Sequence, residues 1–284
     1  MATRPELVVA LDGRVLEPNA ALVCADDPVF IRGDGVFETL LLRHGRPALL
    51  EAHLARLCSS AARSGLHEPD LEPWRRAVAD AAARWGAADV DEAVVRLGYG
   101  RGRSAEPVAF VTVSPVPERV AVARRDGVSA VTLDRGVHSS VVVPWSLAGA
   151  KSLSYATNLA ALRHAARMGV DDVVFLSTDG YVLEGPRSTV VIASGGALVT
   201  PPPSLPILVG TTTQALFGVA RQCGIACENR MLRTADLVAA QGVWLVSSVT
   251  LATRVHTLDG VPLRTSPMAA EPSALIDAAI ADPS

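Results

Sequence analysis

The chain has 284 residues and a formal net charge of −3 at pH 7; 49% of its residues are hydrophobic and only 4% are aromatic. This length allows a sizeable core and, at about 100–200 residues per domain, predicts two domains. The negative charge and scarce aromatic side chains argue against nucleic-acid binding. The N-terminus lacks the roughly 7–15-residue apolar segment of a secretory signal, and no apolar run reaches the roughly 18 residues that span a bilayer. We therefore expect a cytoplasmic protein without membrane contact.

The first third of the chain is predicted to mix strands and helices. The stretch "ELVVALDGRVL" indicates a hairpin that turns at Asp12-Gly13, and "VFETLLLRHGRPALL" a second one that turns at His44-Gly45. Apolar residues recur every three or four positions in "EAHLARLCSSAARSGL" and "EPWRRAVADAAARWG", which predicts two amphipathic helices. Strands are then predicted in "DEAVVRLGYGRG" and "PVAFVTVSPVP".

The remainder of the chain is predicted to be rich in strands. Two prolines followed by the polar "ERVAVARRDG" indicate a crossover at 118–127, between a domain at 1–117 and a larger one at 128–284. Helices are expected at about 155–168, 211–222 and 272–281, between short strands. Short strands with separated helices favour an α+β fold of two domains over a repeated βαβ fold.

Lys151 is the only lysine among the 26 basic residues of the chain. Arginine serves ion pairs and surface charge at least as well, but it does not lose its proton near neutral pH. A titratable amine is needed for a Schiff-base nucleophile or a general base. The alternative is an accident of strong arginine usage, and the neighbouring chemistry has to decide between the two.

A lysine nucleophile admits an aldolase-like carbonyl enzyme or a pyridoxal phosphate (PLP) enzyme, and the second also needs an anion site. Thr211, Thr212 and Thr213 follow Gly210 at a predicted helix start, where free amides and hydroxyls attract an anion. A plain threonine cap is the alternative. In "LVSSVT", Ser248 follows an apolar strand and offers a second, weaker donor position.

Two charged residues could complete such a site. Arg56 in "EAHLARL" could supply a charge-assisted clamp, although it could equally be a surface arginine. Glu184 in "TDGYVLEGPRS" follows an apolar run and could hold a protonated pyridine nitrogen, or it could be an exposed strand-end carboxylate. The histidines and cysteines show no metal-ligand spacing, so no metal site is expected.

Five stretches, "RGDGVFETL", "EAHLARLCSSA", "AKSLSYATNLAALRHA", "DGYVLEG" and "PILVGTTTQALF", occur in this order. Together they resemble the fold-type IV (class IV) PLP enzymes, which include branched-chain aminotransferases, D-amino-acid aminotransferases and aminodeoxychorismate lyases. The resemblance covers about residues 7–262. It implies a small N-terminal α/β domain, a larger C-terminal domain with a β-barrel-like core, and PLP held between them in a homodimer.

The resemblance also implies roles for individual residues. Lys151 matches the Schiff-base lysine, and Glu184 matches the glutamate at the pyridine nitrogen. Tyr155 occupies the place of a tyrosine near the cofactor's phenolic oxygen. The phosphate contacts implied are Arg56, Thr211, Thr212, Ser248 and Val249. Candidates for substrate contacts are Arg101, Arg103 and Thr250.

The sequence motifs indicate the reaction less clearly than they indicate the cofactor. The stretch "GYGRGRS" lacks the histidine of the arginine-x-histidine pair in D-amino-acid aminotransferases, and it resembles the "RGxxxRG" strand end of the lyases. Against a lyase, "KSLSY" stands where those enzymes often carry "KxLNR". Thr189 and "GTTT" depart from the family pattern, in which asparagine and "GITR" or "GVTR" are usual. We expect an aminodeoxychorismate lyase of folate synthesis that releases pyruvate and 4-aminobenzoate. The alternatives are an amino-acid transaminase, for D-amino or branched-chain acids, and a non-catalytic cofactor-binding scaffold.

Overall fold

A computed structural model describes residues 6–86, 91–104, 106–140, 143–264 and 271–281. The chain divides into two compact units. The first is Met1–Glu118 with Ala150–Tyr155, and the second is Arg119–Gly149 with Ala156–Ser284. The mixture of sheets and helices confirms the predicted α+β class.

The first unit is built on a six-stranded sheet with the strand order β2-β1-β6-β5-β3-β4, in which every pair is antiparallel. The strands are β1 Leu7–Ala10, β2 Val15–Leu16, β3 Gly35–Arg43, β4 Arg46–Pro47, β5 Glu92–Gly100 and β6 Val108–Pro115. The helices are α1 Pro28–Ile31, α2 Leu50–Arg63 and α3 Leu71–Gly86. Both predicted hairpins and both amphipathic helices are confirmed; the short α1 was not predicted.

One face of this sheet forms the core with α2 and α3. Successive side chains of a strand point to opposite faces, so every second residue of β3 and β5 is buried here. Leu40 of β3, Leu57 of α2 and Trp74 of α3 are at most 1% exposed and belong to one apolar cluster. We call this the helix-covered face.

The opposite face of the sheet carries the alternate residues. Phe37 lies across from Gly98, and Thr39 lies across from Arg96, in the uninterrupted register of β3 and β5. We call this the second face.

The segment with Lys151 extends the sheet beside the start of β3. Ser152 forms an antiparallel bridge with Val36, and the Leu153 amide donates to the Gly35 carbonyl at 2.8 Å. These contacts group the segment with the first unit, whereas the sequence analysis placed Lys151 in the C-terminal domain. The boundaries at 117 and 128, as limits of independently folding domains, stay a prediction.

The second unit is built on an eight-stranded sheet with the order β11-β10-β9-β12-β13-β7-β8, and β14 pairs with β13. Three of its pairs, β10 with β11, β13 with β7 and β7 with β8, are parallel. The strands are β7 Val128–Asp134, β8 Asp172–Leu176, β9 Thr189–Ser194, β10 Ala197–Thr200, β11 Ala226–Asn229, β12 Gly242–Ser247, β13 Leu251–Leu258 and β14 Val261–Pro262. The helices are α4 Glu118–Asp126, α5 Ala156–Arg167, α6 Thr211–Gln222, α7 Thr234–Ala239 and α8 Glu271–Ala281.

The predicted helices α5, α6 and α8 are confirmed, but the predicted crossover at 118–127 is occupied by helix α4. Only Val120 of this helix is buried, and its sequence is largely polar. The polar sequence was therefore interpreted as a linker. Helix α7 was also missed, since its six residues are too few to show a helical period. Among the described residues, no helix has the length and apolarity needed to cross a membrane.

Gly35 provides a test of this packing, because β3 approaches β5 closely there. A Cβ atom at position 35 would come 2.8 Å from the Tyr99 carbonyl oxygen and 3.0 Å from the Gly100 Cα. We expect Gly35→Ala to destabilise the fold by about 1–3 kcal/mol, as overpacking does. Urea unfolding measures this.

Gly218→Ala is the matched control. Gly218 lies on the exposed side of α6, and an added Cβ there meets nothing within 4 Å. Alanine should therefore stabilise the protein by about 0.4–1 kcal/mol. Equal unfolding midpoints for both variants would contradict the close approach at Gly35.

Candidate active site

Lys151 is held through its main chain by the two elements on which the first unit is built. Its carbonyl accepts from the Phe37 amide of β3 at 2.9 Å, and its amide donates to Ser60 Oγ of α2 at 3.1 Å. Its Nζ lies 4.6 Å from the centroid of the Phe37 ring, within cation–π range. The amine therefore has a defined position on the second face of the sheet.

Tyr155 belongs to the same group of side chains. Its ring meets Phe37 edge to face, with centroids 5.6 Å apart and an interplanar angle of 89°. The structure thus brings together Lys151, Phe37 and Tyr155, of which Phe37 was not a predicted site residue.

Arg56 lies on α2 and is clamped by a carboxylate from β3. Its Nε donates to Glu38 Oε1 and its Nη2 to Glu38 Oε2, both at 2.7 Å. His53 Nδ1 lies 2.7 Å from the same Oε2. Glu38 is fully buried and His53 is 1% exposed, whereas 12% of the Arg56 side chain is exposed.

Burial and hydrogen bonding act in opposite directions on this cluster. Burial raises the pKa of the Glu38 carboxyl, but the bonds from Arg56 and His53 outweigh it and lower the pKa from 4.5 to about 2. Burial lowers the pKa of His53, and the positive charges of Arg56 and Lys151 lower it further. The hydrogen bond and the charge of Glu38 raise it, but by less. The cluster is therefore an ionised carboxylate with an arginine and a neutral histidine at neutral pH.

Arg96 is a candidate substrate contact that the sequence analysis missed. It is half-buried on the second face, across from Thr39, and its Nη1 donates to Ser114 Oγ at 3.3 Å. Burial lowers its pKa, and no carboxylate among the described residues pairs with it. The sequence signal that could have indicated this residue was an arginine inside the apolar run "AVVRLGYG". An arginine without an anionic partner, on the face that carries the Lys151 amine, suits a carboxylate ligand.

The two predicted substrate arginines are placed differently. Arg101 donates from Nε to Asp34 at 2.9 Å and from Nη2 to the Gly65 carbonyl at 3.0 Å, so much of its guanidinium is committed to the fold. Arg103 is 60% exposed and lies 3.5 Å from Asp26. Their role as substrate contacts stays a prediction.

Glu184 in the second unit is fixed at both carboxylate oxygens. Arg135 Nη1 donates to Oε1 at 2.7 Å, and the Leu208 amide donates to Oε2 at 2.9 Å. Only 12% of the side chain is exposed. Because a carboxylate has about four acceptor positions, it can still receive a further donor such as a pyridinium N–H.

The start of α6 presents donors in a crowded place. The N-cap residue is Gly210, so no side chain hydrogen-bonds to the first amides of the helix from that position. Thr211 and Thr212 are at most 4% exposed. A Cβ at Gly210 would come 2.5 Å from Thr189 Oγ1, so a larger residue there would require the Thr189 side chain to shift. Thr212 Oγ1 donates to Ser248 Oγ at 3.3 Å, which brings two predicted phosphate contacts together.

The turn between β12 and β13 is also firmly held. The Thr250 amide donates to Ser247 Oγ at 3.2 Å, and Thr253 Oγ1 donates to the Thr250 carbonyl at 3.3 Å. The Arg124 guanidinium donates to the Val249 carbonyl. These bonds fix the main chain at the remaining predicted phosphate contact and at Thr250.

These donor sets fit the groups that PLP presents. A guanidinium, helix-start amides and hydroxyls are all donors to a phosphate, a fixed carboxylate suits a pyridine nitrogen, and Lys151 supplies an amine for an aldehyde. Within the described residues, no cluster of His, Cys, Asp and Glu could hold a metal ion. A guanidinium, helix-start donors, a fixed carboxylate and a lysine amine are the groups that an enzyme of the PLP-dependent kind uses to hold its cofactor.

Comparison with known proteins supports this class. The family model for class IV aminotransferases matches residues 35–258. A bifunctional aminodeoxychorismate lyase / D-amino acid transaminase from Mycobacterium tuberculosis is 59% identical over 96% of this chain and 99% of its own. The chain belongs to the class IV aminotransferase family.

Two solved structures show the same fold. An aminotransferase from Mycobacterium tuberculosis with PLP bound is 59% identical, covers 96% of this chain and 98% of its own, and superposes with a TM-score of 0.94. A 4-amino-4-deoxychorismate lyase from Pseudomonas aeruginosa is 25% identical over 91% and 96% of the two chains, with a TM-score of 0.77. The predicted fold-type IV architecture and PLP as cofactor are confirmed, and the protein is a PLP-dependent lyase or aminotransferase.

The ionisation of Glu38 should make the free energy of unfolding depend on pH in the acid range. Its pKa is about 2 in the folded protein against an ordinary 4.5, so its contribution is complete above about pH 4.5 and is lost as the pH falls towards 2. We expect the free energy of unfolding to fall by about 3 kcal/mol more in the wild type than in Glu38→Gln over this range. Urea titrations at several pH values measure the difference.

Glu51→Gln is the matched control, because Glu51 also pairs with an arginine, Arg75, but on the exposed side of α2. Its pH profile should follow the wild type closely. Parallel profiles for the wild type and Glu38→Gln would contradict the assigned ionisation.

Proposed function

We propose that this chain is a PLP-dependent aminodeoxychorismate lyase, and that the same site also transfers amino groups of D-amino acids. The observation that carries the proposal is the amine of Lys151, fixed on the second face beside Phe37 and on the same face as Arg96. The choice of reaction is supported by the relative from Mycobacterium tuberculosis, whose name gives both activities. That name also favours D-amino acids as substrates, although the chain lacks the arginine-x-histidine pair of D-amino-acid aminotransferases.

The cofactor contacts are assigned to the residues that the motifs indicated. PLP, when bound, supplies an aldehyde for amines and an electron-accepting ring. From the first unit we assign Lys151 to the aldehyde, Arg56 to the phosphate and Tyr155 to the phenolic oxygen. From the second unit we assign Glu184 to the ring nitrogen; the phosphate contacts assigned there are Thr211, Thr212, Ser248 and Val249.

Lys151 is also the proton-transfer group. Its Nζ takes the proton from the substrate carbon that bears the amine. In the lyase reaction, the bond between the ring carbon and the enolpyruvyl oxygen breaks, and Nζ returns a proton to the methylene carbon of the departing enolpyruvate, which gives pyruvate and leaves 4-aminobenzoate. In amino transfer, the proton does not return to the substrate, so the two reactions differ in where Lys151 delivers it.

Arg96 is assigned to a substrate carboxylate. Amino acids and aminodeoxychorismate both present a carboxylate, of which aminodeoxychorismate has two, and a guanidinium binds such a group with two parallel hydrogen bonds. The half-buried position of Arg96 strengthens such a bond relative to that of an exposed arginine. Arg101, Arg103 and Thr250 are the alternative candidates for this contact, and the homodimer and the cytoplasmic location also remain predictions.

A paired assay on the PLP-loaded protein tests the function. One arm supplies aminodeoxychorismate, generated in situ, and follows 4-aminobenzoate; the other supplies D- or L-amino acids with a keto acid and follows the new keto acid. We expect both arms to show turnover, with D-amino acids preferred over L. In Lys151→Arg, which keeps the charge, both activities should fall by at least about 10³-fold, together with the visible absorbance of bound PLP.

Each result of this assay has a definite meaning. Turnover of amino acids without 4-aminobenzoate would remove the lyase proposal, and preference for L-amino acids would remove the D-amino-acid one. Wild-type turnover in Lys151→Arg, with its fold verified by circular dichroism, would overturn the role of Lys151.

Arg96→Gln tests the carboxylate contact. Loss of a hydrogen-bonded charge pair should raise KM roughly 10–100-fold in both arms, with a smaller change in kcat. Arg103→Gln is the comparison variant, and we expect its KM to stay near that of the wild type because the side chain is largely exposed. The opposite pattern would transfer the carboxylate contact to Arg103.

A further inference from the structure

We propose that Glu38, assisted by His53, is a positioning residue that orients Arg56 towards the phosphate of PLP. This inference rests on the proposed function, in which Arg56 contacts that phosphate. It concerns two residues, in "VFETL" and "EAHLARL", to which the motifs gave no role.

Glu38 stands where the sheet requires an apolar side chain. Its neighbours on the helix-covered face of β3, Val36 and Leu40, are fully buried, and Glu38 itself has no exposed surface. A buried ion pair is seldom more stabilising than well-packed apolar side chains of similar volume. Stability alone therefore gives little reason for a carboxylate here, whereas orientation of a functional arginine gives a specific one.

The geometry fixes the plane of the Arg56 guanidinium. Its Nε and Nη2 bind the two oxygens of one carboxylate, both at 2.7 Å, in the fork-to-fork arrangement. Because a guanidinium is planar, two such bonds also set the direction of Nη1. An arginine oriented in advance loses less conformational freedom when it binds an anion.

His53 holds the carboxylate in turn. It lies three residues before Arg56 on α2, so both side chains share one helix face. Its Nδ1 lies 2.7 Å from Glu38 Oε2, and this bond opposes rotation of the carboxylate away from Arg56. Since burial and the nearby cations keep the imidazole neutral, His53 adds no positive charge to the cluster.

The cluster is connected to Lys151 through the same two elements. Glu38 is next to Phe37, whose amide binds the Lys151 carbonyl, and α2 also carries Ser60, whose hydroxyl binds the Lys151 amide. The pairing of Glu38 with Arg56 thus joins β3 to α2 at the level where both hold the lysine.

The test compares two ligands of the apoprotein: PLP and pyridoxal, which lacks the phosphate. Both can react with Lys151, so the ratio of their dissociation constants isolates the phosphate contact. In Glu38→Gln, which keeps the shape of the side chain, we expect PLP binding to weaken at least about 10-fold and pyridoxal binding to change less than about two-fold. Arg56→Gln shows how much PLP binding weakens when the proposed phosphate contact is lost completely. Glu51→Gln is the control, because Glu51 lies on the same helix as Arg56.

The outcomes separate the inference from the function on which it rests. If Arg56→Gln leaves the ratio unchanged, Arg56 does not bind the phosphate, and the assignment under the proposed function fails. If Arg56→Gln lowers PLP binding selectively but Glu38→Gln does not, the positioning role is overturned. An equal loss of both ligands in Glu38→Gln would indicate a merely structural role and would also overturn it.

A second variant decides the question if Glu38→Gln does not fold. His53→Gln removes the imidazole bond to Glu38 without leaving an unpaired buried charge. We expect a selective loss of PLP binding of roughly 3-fold or more, since one neutral hydrogen bond contributes about 1 kcal/mol. An unchanged ratio in a folded His53→Gln protein would overturn the inference.

Discussion

The buried pairing of Glu38 with Arg56 joins β3 to α2, the two elements on which the position of Lys151 depends. It places a charge in the middle of an apolar face, and it is tolerated because three hydrogen bonds satisfy the carboxylate. The pair locks β3 to α2, and these two elements hold both main-chain groups of Lys151. The position of the reactive amine therefore follows from the packing of a strand on a helix and does not depend on a flexible loop.

The alternation of the same strand assigns different tasks to the two faces of the sheet. On the helix-covered face, Glu38 is surrounded by core residues and fixes Arg56. On the second face, the next residue, Phe37, meets the amine of Lys151, and Arg96 lies on the neighbouring strand. A single-residue slip of β3 would exchange these faces, so the register that builds the core also builds the site.

Much of this arrangement could be predicted from sequence, and the part that was missed has a physical explanation. The hairpins and the amphipathic helices depend on local patterns, and the structure confirms them. Arg96 was missed because its importance depends on which strand lies beside which, and pairing between β3 and β5 joins residues almost 60 positions apart. Glu38 was missed because its role depends on the packing of β3 against α2, which carries His53 and Arg56. The only local sign of either role was a charged residue within a largely apolar strand.

The second unit contains rigid contacts that suit the two reactions of the proposed function. Glu184 is fixed by Arg135 and by the Leu208 amide, and the turn after β12 is fixed by hydroxyl and guanidinium bonds. In the proposed function, such rigid contacts would bind the parts of PLP that stay the same in both reactions. The two proposed reactions share the removal of a proton by Lys151 and diverge only when that proton is delivered. Under this proposal, substrate shape and the orientation of its carboxylate decide the product, and the residue proposed to bind that carboxylate, Arg96, lies on the second face of the first sheet.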